Sequence, residues 1–117
     1  MTVDDLNEDT KTDEKWLPYA NTPPHPEYPA AHGCAAGAVA EALEHFFGTQ
    51  KVTLRFTSAI PNTVPHVYRT PDDLVEEVTW ARIFGGMHYL TSTEHGATLG
   101  RKVGRYVMRQ EFRPVHR

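Results

Sequence analysis

The sequence is poor in cysteine and in long apolar runs, and both absences limit what the protein can be. One cysteine, Cys34, excludes an internal disulfide and is typical of a reducing compartment. No stretch reaches the roughly 20 apolar residues that a transmembrane helix needs, and residues 1–5 lack the basic and apolar regions of a secretory signal. We therefore expect a cytoplasmic protein that has no membrane partner.

The net charge is also small, at −3, but it is distributed unevenly along the chain. Residues 1–15 contain six acidic side chains, two lysines and few apolar residues, a composition that predicts an acidic disordered leader. Residues 101–117 contain six basic side chains and one glutamate. Because a solvated helix face is the commoner origin of such a segment, we expect no nucleic-acid partner.

A chain of 117 residues is long enough for one domain with a modest core. The first helix is predicted at Ala31–Phe47, and Gly48 is expected to end it. Apolar side chains recur along it at spacings of three and four residues, which predicts that one face packs into the core. That face comprises Ala36, Val39, Ala40, Leu43, Phe46 and Phe47.

Two further helices are predicted from their start signals. Thr70 is suited to cap a helix that has Pro71 in its first position, and the double glycine at 85–86 is expected to end that helix. Thr91 and Glu94 have the spacing of a capping box. We therefore expect the last helix to begin with them.

The remaining segments indicate irregular structure. Five prolines within residues 16–30 predict a rigid, irregular N-terminal arm. Residues 51–57 alternate apolar and polar side chains in the manner of a strand, but without an evident partner we interpret them as an extended loop, and residues 58–70 as a loop. The predicted fold class is all-α, a helical bundle whose few apolar faces leave one side of the core poorly covered.

The arm delivers a histidine to the start of the first helix. Prolines as far as Pro29 forbid a helix, and the alanine-rich run that follows favours one, so His32 is expected near a helix N-terminus. The N–H groups of a first helical turn have no intrahelical partners and favour an anion. Small neighbours such as Ala31 and Gly33 allow a ligand to approach closely.

A second group of polar residues lies around the double glycine. Arg82 offers a planar set of donors that suits a tetrahedral oxyanion. His88, six residues later, offers an imidazole nitrogen that could attack phosphorus or coordinate a metal centre. Together with His32 these residues predict a pocket for phosphate or for its structural analogue vanadate.

These residues resemble the superfamily of vanadium-dependent haloperoxidases and type 2 phosphatidic acid phosphatases. Its pattern contains Lys-x6-Arg-Pro, then Pro-Ser-Gly-His, then Ser-Arg-x5-His. Residues 22–29 read Thr-Pro-Pro-His-Pro-Glu-Tyr-Pro before His32, which is similar to the bacterial haloperoxidase branch, and Arg82 with His88 matches the third part. Residues 98–104 are also similar to that branch. The resemblance covers residues 16–117.

The resemblance implies a role for each matching residue. His32 would be the general acid/base, and Arg82 would hold equatorial oxygens of the oxyanion. His88 would be the phosphoryl-accepting nucleophile or, in a haloperoxidase, the ligand of vanadium in vanadate. Ala31 stands with Ala30 where the pattern has Ser-Gly, and the backbone N–H of Ala31 would still point at the anion. The implied cofactor is vanadate or phosphate, and the implied substrates are halide with hydrogen peroxide, or a phosphate ester.

Two departures from the family pattern limit these expectations. Before His32 the chain has Lys11 and Lys15 but no arginine, so the Lys-x6-Arg-Pro part has no match. Ser92 stands where many phosphatase-type members have an aspartate that orients the nucleophilic histidine, so His88 would need another partner. We therefore expect a truncated, C-terminal portion of such an enzyme, with little or no turnover on its own.

Three alternatives remain open at this point. One is an acid phosphatase that acts through a phosphohistidine at His88. Another is a non-enzymatic interaction module, in which a homodimer partner or another chain covers the exposed core. A third is a divalent-metal site formed by His25, Glu27 and His32, although the family resemblance implies structural roles for the first two. Cys34 is expected to be a packing residue.

Overall fold

The computed structural model describes residues 9, 11 and 13–112. In chain order their elements are α1 (Ala31–Phe47), β1 (Leu54–Phe56), β2 (His66–Tyr68), α2 (Pro71–Phe84) and α3 (Leu90–Gln110). Helices dominate, which confirms the predicted fold class. None of the helices in this part of the chain is long and apolar enough to cross a membrane. The predicted acidic leader, residues 1–15, falls mostly outside the described residues.

Helices α1 and α2 begin and end where local signals predict. α1 follows Ala30, whose backbone is extended, and it ends at Gly48, which adopts a left-handed conformation with φ of 64°. At the start of α2, Thr70 and Asp73 form a capping box: the Thr70 hydroxyl accepts from the Asp73 N–H at 3.2 Å, and the Asp73 carboxylate accepts from the Thr70 N–H at 3.0 Å.

The predicted start of α3 is wrong. The helix begins at Leu90, after an N-cap at Tyr89 that provides no side-chain cap, and the predicted capping box of Thr91 and Glu94 is absent. The Tyr89 N–H instead donates to the Glu27 carboxylate at 3.0 Å. The start of α3 is therefore fixed by a side chain of the arm, which no local pattern reveals.

The loop prediction for residues 51–57 and 58–70 is also wrong in part. β1 and β2 pair as an antiparallel hairpin in which Leu54 lies opposite Tyr68. Each strand has three residues, and the partner of β1 lies within the segment that was predicted to be loop. The rings of Phe56 and Tyr68 are in contact, with centroids 5.9 Å apart.

Helices α1 and α3 pack with their backbones almost in contact. A Cβ atom added to Gly100 would lie 1.9 Å from the Cys34 carbonyl oxygen, and one added to Gly37 would lie 2.3 Å from the Ala97 carbonyl oxygen. Only glycine allows so close an approach. This contact, which we call the glycine seam, also contains Gly33, Gly96 and Gly104.

The core prediction for α1 is only half right. Ala36 and Ala40 are buried, whereas Phe46 is 74% exposed and Phe47 is 55% exposed. α3 approaches so closely that only small side chains fit between the helices, so the large apolar residues lie on other sides of α1. Val39, also predicted for the core, is exposed as well.

Candidate oxyanion-binding site

The arm reaches the site by docking against α3 and the double glycine. The Ala30 N–H donates to the Ser92 carbonyl at 3.1 Å, which places the end of the arm on the first turn of α3. Further back, the Trp16 ring lies against Gly86, where an added Cβ would be 2.8 Å from the ring. Gly86 has φ of 73°, so both its conformation and its neighbour favour glycine.

His88 is held by a carboxylate of the arm. Its side chain is only 1% exposed, and Nδ1 lies 3.3 Å from Oε1 of Glu27. The Ser92 hydroxyl donates to Oε2 of the same carboxylate at 2.7 Å. Although burial raises the pKa of Glu27, the hydrogen bonds from Ser92, Tyr89 and His88 together outweigh it and lower the pKa below its ordinary value.

Buried nitrogen atoms of His88 and Arg82 lack hydrogen-bond partners among the described residues. Nε2 of His88 and both Nε and Nη2 of Arg82 are buried, and none has a hydrogen-bond partner among the described residues. Leaving such groups unsatisfied costs about 1–3 kcal/mol each, and more for a charged group. The chemistry of these atoms suits a tetrahedral oxyanion, whose oxygens accept from a guanidinium and which an imidazole nitrogen could ligate. The residues present therefore fit vanadate or phosphate.

His32 lies at the edge of this group. It is the second residue of α1 and remains exposed. Partial desolvation of its ring and the positive charges of Arg82, His88 and His25 lower its pKa below the ordinary histidine value. Such couplings act over a short range, so the three residues share one region with His32. Ala31 precedes it as the first residue of α1, where the backbone N–H has no intrahelical partner.

Two residues of the arm, which the sequence suggested only as possible metal ligands, instead contact His88. Glu27 bonds to His88, and the His25 ring stacks on His88 with centroids 6.2 Å apart and an interplanar angle of 22°. One signal could have found Glu27: the sequence lacks the expected aspartate at position 92, and Glu27 is a carboxylate within the motif that precedes His32.

The divalent-metal alternative is wrong. No group of three histidine, cysteine or carboxylate side chains in the described part of the chain converges as a metal site. The carboxylate of Glu27 is directed at His88 and not at a shared centre with His25 and His32. Cys34 is a free, half-buried cysteine on α1.

A cleft of about 520 Å³ opens beside His88 on the side of the arm. Its walls are mostly apolar and include Trp16, Ile83, Met87 and Tyr89, with Glu27 as its carboxylate. A cleft of this size admits a small molecule. His88 also lines it, whereas Arg82 and His32 do not.

Comparison with known proteins assigns the chain to a family. Residues 2–117 match the family described as the VCPO second helical-bundle domain. A bacterial vanadium-dependent iodoperoxidase of known structure is similar, with a TM-score of 0.75 and 28% sequence identity over 83% of this chain. The match spans only 24% of the iodoperoxidase. None of the curated protein sequences matches this chain. The chain thus belongs to the VCPO second helical-bundle domain family, within the vanadium haloperoxidase superfamily.

Proposed function

We propose that this chain binds vanadate between His88 and Arg82 and forms the C-terminal portion of a vanadium haloperoxidase active site. The observation that supports this proposal is a set of three buried atoms, Nε2 of His88 and Nε and Nη2 of Arg82, that have no hydrogen-bond partner in the described part of the chain. When bound, vanadate supplies the centre at which enzymes of this superfamily oxidise halide with hydrogen peroxide. Phosphate has the same shape and would occupy the same position.

Each residue of the chain has a distinct task in this proposal. Nε2 of His88 and the Arg82 guanidinium would hold the anion, and the guanidinium would neutralise the charge on its oxygens. His32 has a lowered pKa, so its imidazole is neutral near pH 7 and accepts or returns a proton at the pocket edge. The N–H of Ala31, at the start of α1, adds a neutral donor.

The positive charge within the described site is low for an oxyanion of this kind. Arg82 is the arginine that faces the anion, and residues before His32 provide no arginine. Each charge-assisted hydrogen bond contributes about 1.5–3 kcal/mol, so a family member that has an additional lysine and arginine would bind far more tightly. We therefore propose that the chain alone has little or no turnover, and that residues from elsewhere complete the pocket.

Anion binding tests the proposal directly. Titration calorimetry with vanadate, and separately with inorganic phosphate, should show binding that Arg82→Ala weakens by about tenfold or more. Arg55→Ala is the matched control, because Arg55 lies exposed on β1 and its removal should leave the affinity unchanged. Equal affinities of the wild type and Arg82→Ala would refute the site.

Activity assays distinguish the two kinds of chemistry that one site could support. Bromide oxidation with peroxide and added vanadate reports on the haloperoxidase, whereas hydrolysis of a chromogenic phosphate ester without vanadate reports on the phosphatase. We expect neither assay to give strong turnover with the isolated chain. Robust bromide oxidation that His88→Ala abolishes would overturn the proposal that the pocket is incomplete.

One observation favours a second function, that of an interaction module. Large apolar side chains are exposed on all three helices, among them Val39, Phe46, Trp80, Phe84, Val103 and Tyr106. Such surfaces are rarely left to solvent in a monomer. A homodimer or another chain would bury them, and size-exclusion chromatography with mass determination tests this. A clean monomer that melts cooperatively would count against the module.

A further inference from the structure

We infer that Glu27 is a positioning residue for His88, which holds the imidazole in the Nδ1–H tautomer so that the lone pair of Nε2 faces the oxyanion side. That an oxyanion binds on this side of His88 rests on the proposed function. The tautomer itself does not, because it follows from contacts within the chain.

The contact between Glu27 and His88 assigns the proton. An ionised carboxylate only accepts hydrogen bonds, and Oε1 of Glu27 lies 3.3 Å from Nδ1 of His88. Nδ1 is therefore the donor. In a neutral imidazole the other nitrogen then carries the lone pair. That nitrogen is Nε2, which is buried and has no partner among residues 13–112.

The Glu27 carboxylate is itself fixed by donors from α3. The Tyr89 N–H donates to Oε1 at 3.0 Å, and the Ser92 hydroxyl donates to Oε2 at 2.7 Å. Ser92 is only 2% exposed, so its hydroxyl has little competition from water. With these two bonds in place, Oε1 faces Nδ1 of His88.

In this chain the carboxylate that orients the histidine belongs to the arm and does not follow the histidine in the sequence. Where phosphatase-type relatives place an aspartate four residues after the nucleophilic histidine, this chain has Ser92, and the hydroxyl supports a carboxylate that comes from 61 residues before His88 in the sequence. Such outer partners of a ligating histidine commonly change ligand affinity by about 10–100-fold when they are removed.

A purely structural role for Glu27 makes a different prediction. By accepting from the Tyr89 N–H, Glu27 also fixes the start of α3, and its loss could disturb folding alone. Glu77 provides a matched control, because its carboxylate contacts a histidine in the same way: Oε1 lies 2.6 Å from Nδ1 of His66, on an exposed part of the surface.

The test measures imidazole nitrogens by long-range ¹H–¹⁵N correlation NMR on the ¹⁵N-labelled chain, at about pH 8, above the ordinary histidine pKa. In the wild type we expect the His88 spectrum of an Nδ1–H tautomer. Glu27→Ala should give a mixture of tautomers, Glu27→Gln should retain the wild-type form because the amide oxygen still accepts, and Glu77→Ala should change His66 alone. An Nε2–H tautomer in the wild type, or an unchanged His88 spectrum in a folded Glu27→Ala, would refute the inference.

A titration with inorganic phosphate separates this inference from the proposed function. We expect Glu27→Ala to weaken phosphate binding about tenfold and Glu77→Ala to leave it unchanged. Absence of phosphate and vanadate binding in the wild type would refute the proposed function but leave the tautomer assignment intact. Binding that Arg82→Ala weakens and Glu27→Ala does not would refute the positioning role alone.

Discussion

The side of α1 that faces α3 and the sides that face away carry residues of opposite size. The inner side consists of Gly33, Gly37 and Ala40, which bring the two backbones together. The outer sides carry Val39, which is 46% exposed, and Phe46, which is 74% exposed. α3 shows the same division, with glycines inside and Leu99, Val103 and Tyr106 exposed.

This difference shows what positions the site. His32 lies on α1, Ser92 lies in the first turn of α3 and His88 lies two residues before that helix, so the distance between the two helix backbones contributes to the geometry of the pocket. The glycine seam fixes that distance by steric fit. The large apolar residues, which would supply most of the hydrophobic stabilisation in an ordinary domain, contribute little where they lie.

The largest expected effect comes from filling the glycine seam. In Gly100→Val the new Cβ would lie 1.9 Å from the Cys34 carbonyl oxygen, and the obstacle is backbone that cannot rotate away. We expect a loss of about 3 kcal/mol in the free energy of unfolding, measured by chemical denaturation followed by circular dichroism. α1 and α3 would have to separate, so anion binding should be lost as well.

Gly48→Ala is the control for this prediction. Gly48 has φ of +64° but no atom within 4 Å of an added Cβ, so the substitution introduces backbone strain without a clash. We expect a smaller loss of about 1 kcal/mol. If both variants lost the same free energy, close packing at the seam would not be what distinguishes the inner side of α1.

A charged pair at the edge of the glycine seam should have the next largest effect. Nε and Nη2 of Arg105 donate to the two carboxylate oxygens of Glu41 at 2.8 and 2.9 Å. The Glu41 side chain is 12% exposed, but that of Arg105 is 50% exposed, so water screens the pair in part. We expect Glu41→Gln to lower the free energy of unfolding by about 1.5 kcal/mol at pH 7.

The pH dependence of that effect has a definite sign. The hydrogen bond from Arg105 lowers the pKa of Glu41, against burial, which raises it. The stabilisation is therefore complete above the pKa of an unfolded glutamate and is lost as the pH falls through the lower folded pKa. Urea denaturation should show the gap between wild type and Glu41→Gln closing in acid. Glu76→Gln, an exposed change on α2, should show no such gap.

The elements that the sequence predicts well are those with local causes. α1 ends at Gly48 and α2 begins at Thr70 because each boundary depends on residues within one turn. The start of α3 depends on Glu27, far away in the sequence, and β1 depends on a partner strand ten residues later. A local sequence pattern does not predict contacts between residues that are far apart in the chain.

The residues of the candidate site also differ in how well the sequence predicts them. Arg82, His88 and His32 were predicted because their residue types and spacing follow a motif. Glu27 and His25 were named only as possible metal ligands, because their contacts with His88 depend on the path of the arm. The periodicity of the sequence likewise indicates which positions of α1 are apolar. It does not indicate that α3 approaches α1 too closely for large apolar side chains to fit between them.

The smallest expected effect is on the outer side of α3. Leu99 and Val103 are 45% and 51% exposed, so the double variant Leu99→Gln and Val103→Gln should change the free energy of unfolding by no more than about 0.5 kcal/mol. The melting temperature, measured over a hundredfold range of protein concentration, checks this, because association between copies makes it concentration-dependent. A larger loss that appears only at high concentration would mean that a second copy covers this face in solution. The outer side of α3 would then be an interface between two copies. The glycine seam and this outer side would differ in how they pack, and no longer in whether they are packed or exposed to solvent.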